Sequence, residues 1–322
     1  MKSKLFPIVA GVCLLANIFS AAGWGQDATN KQQPGRKVAI TFDDLPATHA
    51  DFETMRYVTT KLLGSIKANN VPAIGFVNEN KLYVKGELDP QRTAFLCSWL
   101  DDGLELGNHT FSHIYIDEAP FAAYKENVLR GEIVTKQLLA EKGKTLRYFR
   151  HTQLRTGPTL EYKQALDKFL AERGYTIAPV TIDNNEFIFA DIYARAKQRG
   201  HRETMKRVAG AYIPYMEEIF AFFEKLSVDL LGYEVKQTLL LHANEFNADY
   251  FDDLTRMMKG RGYQFISLEE ALKDPAYKLP DAQAKRGLSW LHRWTLAKGQ
   301  QMKPEPGEPA FIAQLFAEYR RN

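Results

Sequence analysis

The sequence predicts an α/β fold built on a parallel sheet, and two observations carry that reading. From residue 37 onward, short apolar β-branched stretches alternate with longer stretches of helical period, the pattern of strands joined by crossover helices. The polar residues best suited to chemistry fall at the C-terminal ends of the strand-like stretches, where parallel α/β folds place their active face. Strand stretches are expected at residues 37–42, 71–77, 104–108, 146–150, 175–182, 238–242 and 263–266. Helical stretches are expected at 52–68, 91–100, 122–141, 160–173 and 248–259, with a long helical insertion at 188–237. Position alone does not decide between a barrel and an open sheet, since both bind ligands at strand carboxyl ends.

The N-terminus reads as an export signal. Lys2 and Lys4 precede an apolar run at 5–22, and Ser20, Ala21 and Ala22 supply small residues for cleavage. Pro7, Gly11 and Asn17 interrupt that run, which argues against a membrane-spanning anchor and against stable membrane insertion after cleavage. The expected organisation is a signal peptide at 1–22, a polar leader at 23–36, one catalytic domain at 37–275 and a C-terminal tail at 276–322 packed on it. The expected location is secreted, periplasmic or extracellular. Of the two cysteines, Cys13 lies in the signal and only Cys97 remains, so no internal disulfide is available. The formal charge of +3 falls to +1 once Lys2 and Lys4 are removed, too balanced for a nucleic-acid partner. The sequence carries no signal of oligomeric state.

Thr41-Phe42-Asp43-Asp44 closes the first strand stretch with two carboxylates. Gly107-Asn108-His109-Thr110-Phe111-Ser112-His113 follows the third, with its histidines at i, i+4, a spacing that on a helical turn places both imidazoles on one face. Two histidines and one carboxylate make a three-ligand set with a position open for water, which suits a catalytic zinc ion, Zn2+, or another divalent transition metal such as Co2+. The second carboxylate is then free to move a proton. Taken singly, the aspartates are also what a helix N-cap looks like, and the histidines could be a satisfied core pair. Thr110 after the first histidine excludes the zincin pattern.

These residues, with three further motifs in the same order, resemble the polysaccharide deacetylases of carbohydrate esterase family four, over about residues 36–272. The resemblance implies a distorted (β/α) barrel with about seven parallel strands and a metal-dependent hydrolase that removes N-acetyl groups from a glycan such as peptidoglycan or a chitooligosaccharide. It implies Asp43 as the base, Asp44, His109 and His113 on the metal, and Arg150, in Arg147-Tyr148-Phe149-Arg150, as the partner holding Asp43 ionised. Asp183-Asn184-Asn185-Glu186-Phe187 resembles the fourth motif, with Glu186 and Phe187 replacing an aspartate and a tryptophan. Leu240-Leu241-His242 resembles the fifth, whose histidine protonates the leaving amine. Either Asp183 or Glu186 is its expected carboxylate partner. His151-Thr152-Gln153 departs from the proline-rich residues common after the third motif, and Leu45 replaces a common glycine. Competing readings are an O-acetyl esterase, a hydrolase of non-sugar amides on the same scaffold, a catalytically inactive carbohydrate-binding protein, and a structural envelope protein. Trp290 and Trp294 are expected on one helix face docking the tail, while His151, Arg155, His201 and His292 are expected at the surface or in the tail.

Overall fold

The computed structural model of the chain describes residues 1, 35–49 and 51–321. Nearly all of the expected signal peptide and leader lies outside the described residues. Among the described residues, no helix is long and apolar enough to cross a membrane.

Among the described residues, seven strands form one parallel sheet, and all seven coincide with expected stretches. They are β1 (Lys37–Leu45), β2 (Ile74–Val77), β5 (Glu105–Asn108), β6 (Tyr148–Phe149), β7 (Thr176–Ile177), β8 (Gln237–His242) and β9 (Gln264–Phe265). The order is β7-β6-β5-β2-β1-β8, with β9 pairing the N-terminal end of β1. A small antiparallel hairpin, β3 (Tyr83–Val84) with β4 (Glu87–Leu88), stands apart and had no signal in the sequence. Immediately after the edge strand β7, the chain reaches the opposite edge: Ile182 bridges Leu239 of β8, and the Leu240 N–H donates to the Ile182 carbonyl at 3.2 Å. The sheet is therefore curled, its two edges joined by one stretch of chain, as a distorted barrel requires.

Helices follow the strands: α1 (Phe52–Ala68), α2 (Pro90–Asp101), α3 (Phe121–Arg130), α4 (Ile133–Glu141), α5 (Leu160–Glu172), α6 (Glu186–Gln198), α7 (Arg202–Leu231), α8 (Glu245–Gly260), α9 (Leu268–Ala271), α10 (Trp290–Ala297) and α11 (Ala310–Arg321). Their starts are written in the sequence. Asp51, Asp89, Thr159 and Asn244 each cap a helix by accepting from a free backbone N–H, and Pro90 fills the first position of α2. The single helix expected at 122–141 is two, because the chain breaks at Gly131. A Cβ there would come within 2.5 Å of the Phe111 nitrogen, so a bare glycine lets α3 end against the loop that carries the histidines. The core lies between the sheet and its helices; the Phe42 ring, for example, meets Trp99 and Phe251 edge-on at 5.9 and 5.3 Å.

The segment after residue 276 is woven into the barrel. The Ser289 hydroxyl donates to the Thr181 carbonyl at 2.7 Å, and the Trp290 N–H to the Val180 carbonyl at 2.7 Å, so α10 holds the stretch that closes the sheet. Trp290 and Trp294 are both buried, as a docking face requires. His151, expected at the surface, and His292, expected in the tail, are buried too, and His151 stacks on Trp290. Burial of these two follows from the tail covering ground that a local reading of sequence leaves to solvent.

Candidate active site

β1 carries the first part of the site. Six residues of β1 pair in register with β8, ending with Asp43 beside His242, so two adjacent strands deliver a carboxylate and an imidazole at one level. Asp43 is buried, and its Oδ1 lies 3.5 Å from Nη1 of Arg150, which is fully buried. Arg150 is fixed from two further directions: Nη2 donates to the Thr41 hydroxyl at 2.9 Å, and the guanidinium lies 4.6 Å from the Phe76 ring centre. Burial pushes Asp43 up to about 6, and Arg150 offsets only part of that rise. Arg150 thus stands where the motif reading expected it, beside Asp43, and its charge favours the ionised carboxylate against burial.

Asp44, His109 and His113 converge, with one donor atom from each lying within 4.8 Å of the other two. His109 Nε2 and His113 Nε2 stand 3.9 and 3.7 Å from Asp44 Oδ1. The expected helical turn is absent. The histidines lie on a loop after β5, and the backbone reaches this geometry through positive φ at Thr110 (64°) and His113 (54°), with Asp44 itself at 71°. Such conformations are costly outside glycine and persist where surroundings impose them. His109 Nδ1 lies 2.9 Å from the Arg150 carbonyl, which only accepts; Nδ1 therefore carries the proton and Nε2 keeps its lone pair for a ligand. His113 Nδ1 lies 2.9 Å from Gln153 Nε2; for His113 Nε2 to ligate, that amide must turn so that its oxygen accepts from Nδ1. Burial lowers both imidazoles, favouring the neutral form that ligates. Asp44 would be raised by burial, but Lys81 and the nearby imidazoles hold it well below the usual carboxylate range. Two neutral imidazoles and an ionised carboxylate fit a divalent transition ion.

His242 faces this group from β8. Its Nδ1 lies 3.0 Å from Glu186 Oε2, while Glu186 Oε1 accepts from Asn244 Nδ2 at 2.5 Å. Burial alone would lower His242, yet the hydrogen bond and charge of Glu186 raise it to about 9. Of the two carboxylates expected as its partner, the structure brings Glu186 to the ring. Asp183 has no hydrogen bond to His242; its Oδ1 accepts from the Asn184 N–H, and burial pushes it up to about 6. Asn244 had no assigned role in the sequence reading. Its signal was an asparagine two residues after His242 at a helix start, where Oδ1 caps α8 and Nδ2 remains free for Glu186.

Asp43, Asp44, His109, His113, Asp183 and His242 line one cleft of about 640 Å3. Phe187, 47% exposed, forms part of its wall, as do Arg286, Gly287 and Glu305 from the tail. Arg155, expected at the surface, also lines it and pairs with Asp117.

Residues 30–178 match the family model described as polysaccharide deacetylase. Over that stretch the chain is similar to polysaccharide deacetylases, in agreement with the motifs. Similar solved structures include peptidoglycan deacetylase PdaC from Bacillus subtilis, at 18% identity over 74% of this chain and 92% of that one, with a TM-score of 0.45. A family 4 carbohydrate esterase from Streptomyces lividans, in complex with acetate, is 18% identical over 74% and 96%, with a TM-score of 0.42. A CE4 family pseudoenzyme from Bacillus anthracis is 14% identical over 74% and 66%, with a TM-score of 0.44. Among curated proteins no match is found.

Proposed function

We propose that this protein is a metal-dependent hydrolase that removes N-acetyl groups from a carbohydrate polymer or oligomer of the peptidoglycan or chitooligosaccharide class. One observation carries the reading: a three-donor metal site lies in one cleft between an Arg150-paired carboxylate and a carboxylate-paired imidazole. Asp44, His109 and His113 would hold the ion, with zinc favoured by donor type and cobalt an alternative. When bound, such an ion lowers the pKa of water and polarises a carbonyl, and its charge further favours the ionised form of the neighbouring Asp43.

The protein's own residues supply the proton transfers. Asp43 takes the proton of the attacking water as its oxygen bonds the acetyl carbon. Arg150 compensates the charge of Asp43 and, through its carbonyl, fixes the tautomer of His109. His242, protonated at neutral pH by its pairing with Glu186, gives its proton to the departing nitrogen as the C–N bond breaks, leaving acetate and a free amine. Asp183 completes the acidic lining of the cleft. Phe187 offers an exposed aromatic face on which a sugar ring can stack.

We further propose that the N-terminal 22 residues direct export and that the enzyme acts in the periplasm or outside the cell. The domain is read as 37–275, with the tail at 276–322 contributing cleft wall. Acetate release from chitooligosaccharides, peptidoglycan and acetylated xylan, with and without chelator and beside Asp43→Ala, tests the reading. Chelator-sensitive release from an N-acetylated glycan, lost in the variant, is the expected result. Release from acetylated xylan alone would replace it with O-deacetylation, and release from none would overturn it.

A further inference from the structure

The two loops that carry the candidate ligands are held by one short turn, residues 78–82, between β2 and the β3–β4 hairpin. Toward β1, the Asn78 N–H donates to the Leu45 carbonyl at 3.2 Å, and Lys81 Nζ donates to the Asp44 carbonyl at 2.9 Å. Toward the histidine loop, Asn78 Nδ2 donates to the His109 carbonyl at 2.7 Å, and the Asn80 N–H to the Phe111 carbonyl at 2.9 Å. The backbone so gripped includes strained positions, with positive φ at Asp44 and at Thr110, between the two held carbonyls of the histidine loop. The turn has its own anchors. Buried Glu79 accepts from the Val134 and Thr135 N–H groups at the start of α4, at 3.0 and 2.7 Å, and Arg92 donates to the Lys81 carbonyl at 2.9 Å.

We propose that this turn is the clamp that sets the metal-site geometry, and that Lys81 is its positioning residue for Asp44. Lys81 is absent from the cleft lining and its side chain is only 12% exposed, so it does not meet substrate. Its Nζ lies 3.8 Å from Asp44 Oδ1, farther than from the Asp44 carbonyl, so the backbone is its first partner. A cation beside a metal ligand would weaken cation binding if charge were its whole effect. Holding Asp44 in a conformation it would not keep alone has the opposite sign, and that opposition makes the proposal decidable.

The inference rests on Asp44, His109 and His113 being metal ligands. The test titrates zinc into the metal-stripped full-length protein against a competing chromophoric chelator, for wild type, Lys81→Met and Lys81→Arg, with thermal melting of each apoprotein. Methionine keeps the apolar stem without donor or charge; arginine keeps both. Loss of a group supporting a ligand typically costs 10- to 100-fold in metal affinity, so Lys81→Met should bind zinc at least about 10-fold more weakly, Lys81→Arg should fall closer to wild type, and all three apoproteins should melt together. Equal or tighter zinc binding by Lys81→Met overturns the clamp, as does an apoprotein of that variant that fails to fold. No zinc binding by wild type overturns instead the metal reading on which the clamp stands, a result distinguishable from both.

Discussion

The His242–Glu186 pair fixes the direction of the pH response. The folded pKa of His242, about 9, lies above the ordinary value of 6.5. Stability from the pair is therefore complete below about 6.5 and lost as pH rises through 9. Activity needing protonated His242 falls over the same upper range. Glu186→Gln keeps the size of the side chain and removes its charge, so the basic limb of the kcat/KM profile should move toward lower pH; an unmoved limb would mean that another group sets it. Asp43→Asn should lower kcat by about 10²- to 10⁴-fold, the usual contribution of a general base, with zinc still bound. The grouping of Asp43, Asp44, His109, His113, Arg150 and His242 was legible in sequence because short motifs at successive strand ends carry them, and all six meet in the cleft or directly behind it. The choice between Asp183 and Glu186 was not legible. They stand three residues apart where a strand-like stretch gives way to α6, and only the helix start at Glu186 turns that carboxylate onto the ring.

At the level of elements, loop geometry was the part hidden from sequence. An i, i+4 histidine spacing suggests a helical turn, but here a loop with positive φ at Thr110 and His113 brings the rings to 4.9 Å between centres. What imposes that loop is remote in sequence: the 78–82 turn on one side and the end of α3 on the other. Gly131 marks the closest approach. Gly131→Ala places a methyl against the backbone of Thr110 and Phe111, so it should destabilise the protein by about 1–3 kcal/mol, the cost of overpacking, and weaken zinc binding as well. Chemical denaturation and zinc titration of one preparation check both. Strand positions were legible because burial on both faces demands continuous apolar runs, and helix starts because their capping residues are local.

For the whole molecule, seven strands could be read from the sequence, a distorted barrel followed from the family resemblance and a tail packed on it was expected, whereas the contacts that close the sheet and seat the tail could not be read. Those contacts join distant residues, such as Ile182 with Leu239 and Ser289 with Thr181. The tail is consequently structural as well as part of the cleft wall. Trp294 is 1% exposed, and Trp294→Ala should cost about 3–5 kcal/mol, read as a lowered denaturation midpoint. A shift near zero would show the tail to be dispensable. The central claim is that the Asp44, His109 and His113 site binds the ion that makes this fold a deacetylase. Its most direct measurement is acetate release from an N-acetylated oligosaccharide while zinc is titrated back into chelator-treated protein. Activity absent before zinc and saturating at one equivalent in wild type, with none in Asp44→Ala, is the predicted result; release that survives chelation, or persists in Asp44→Ala, would contradict it.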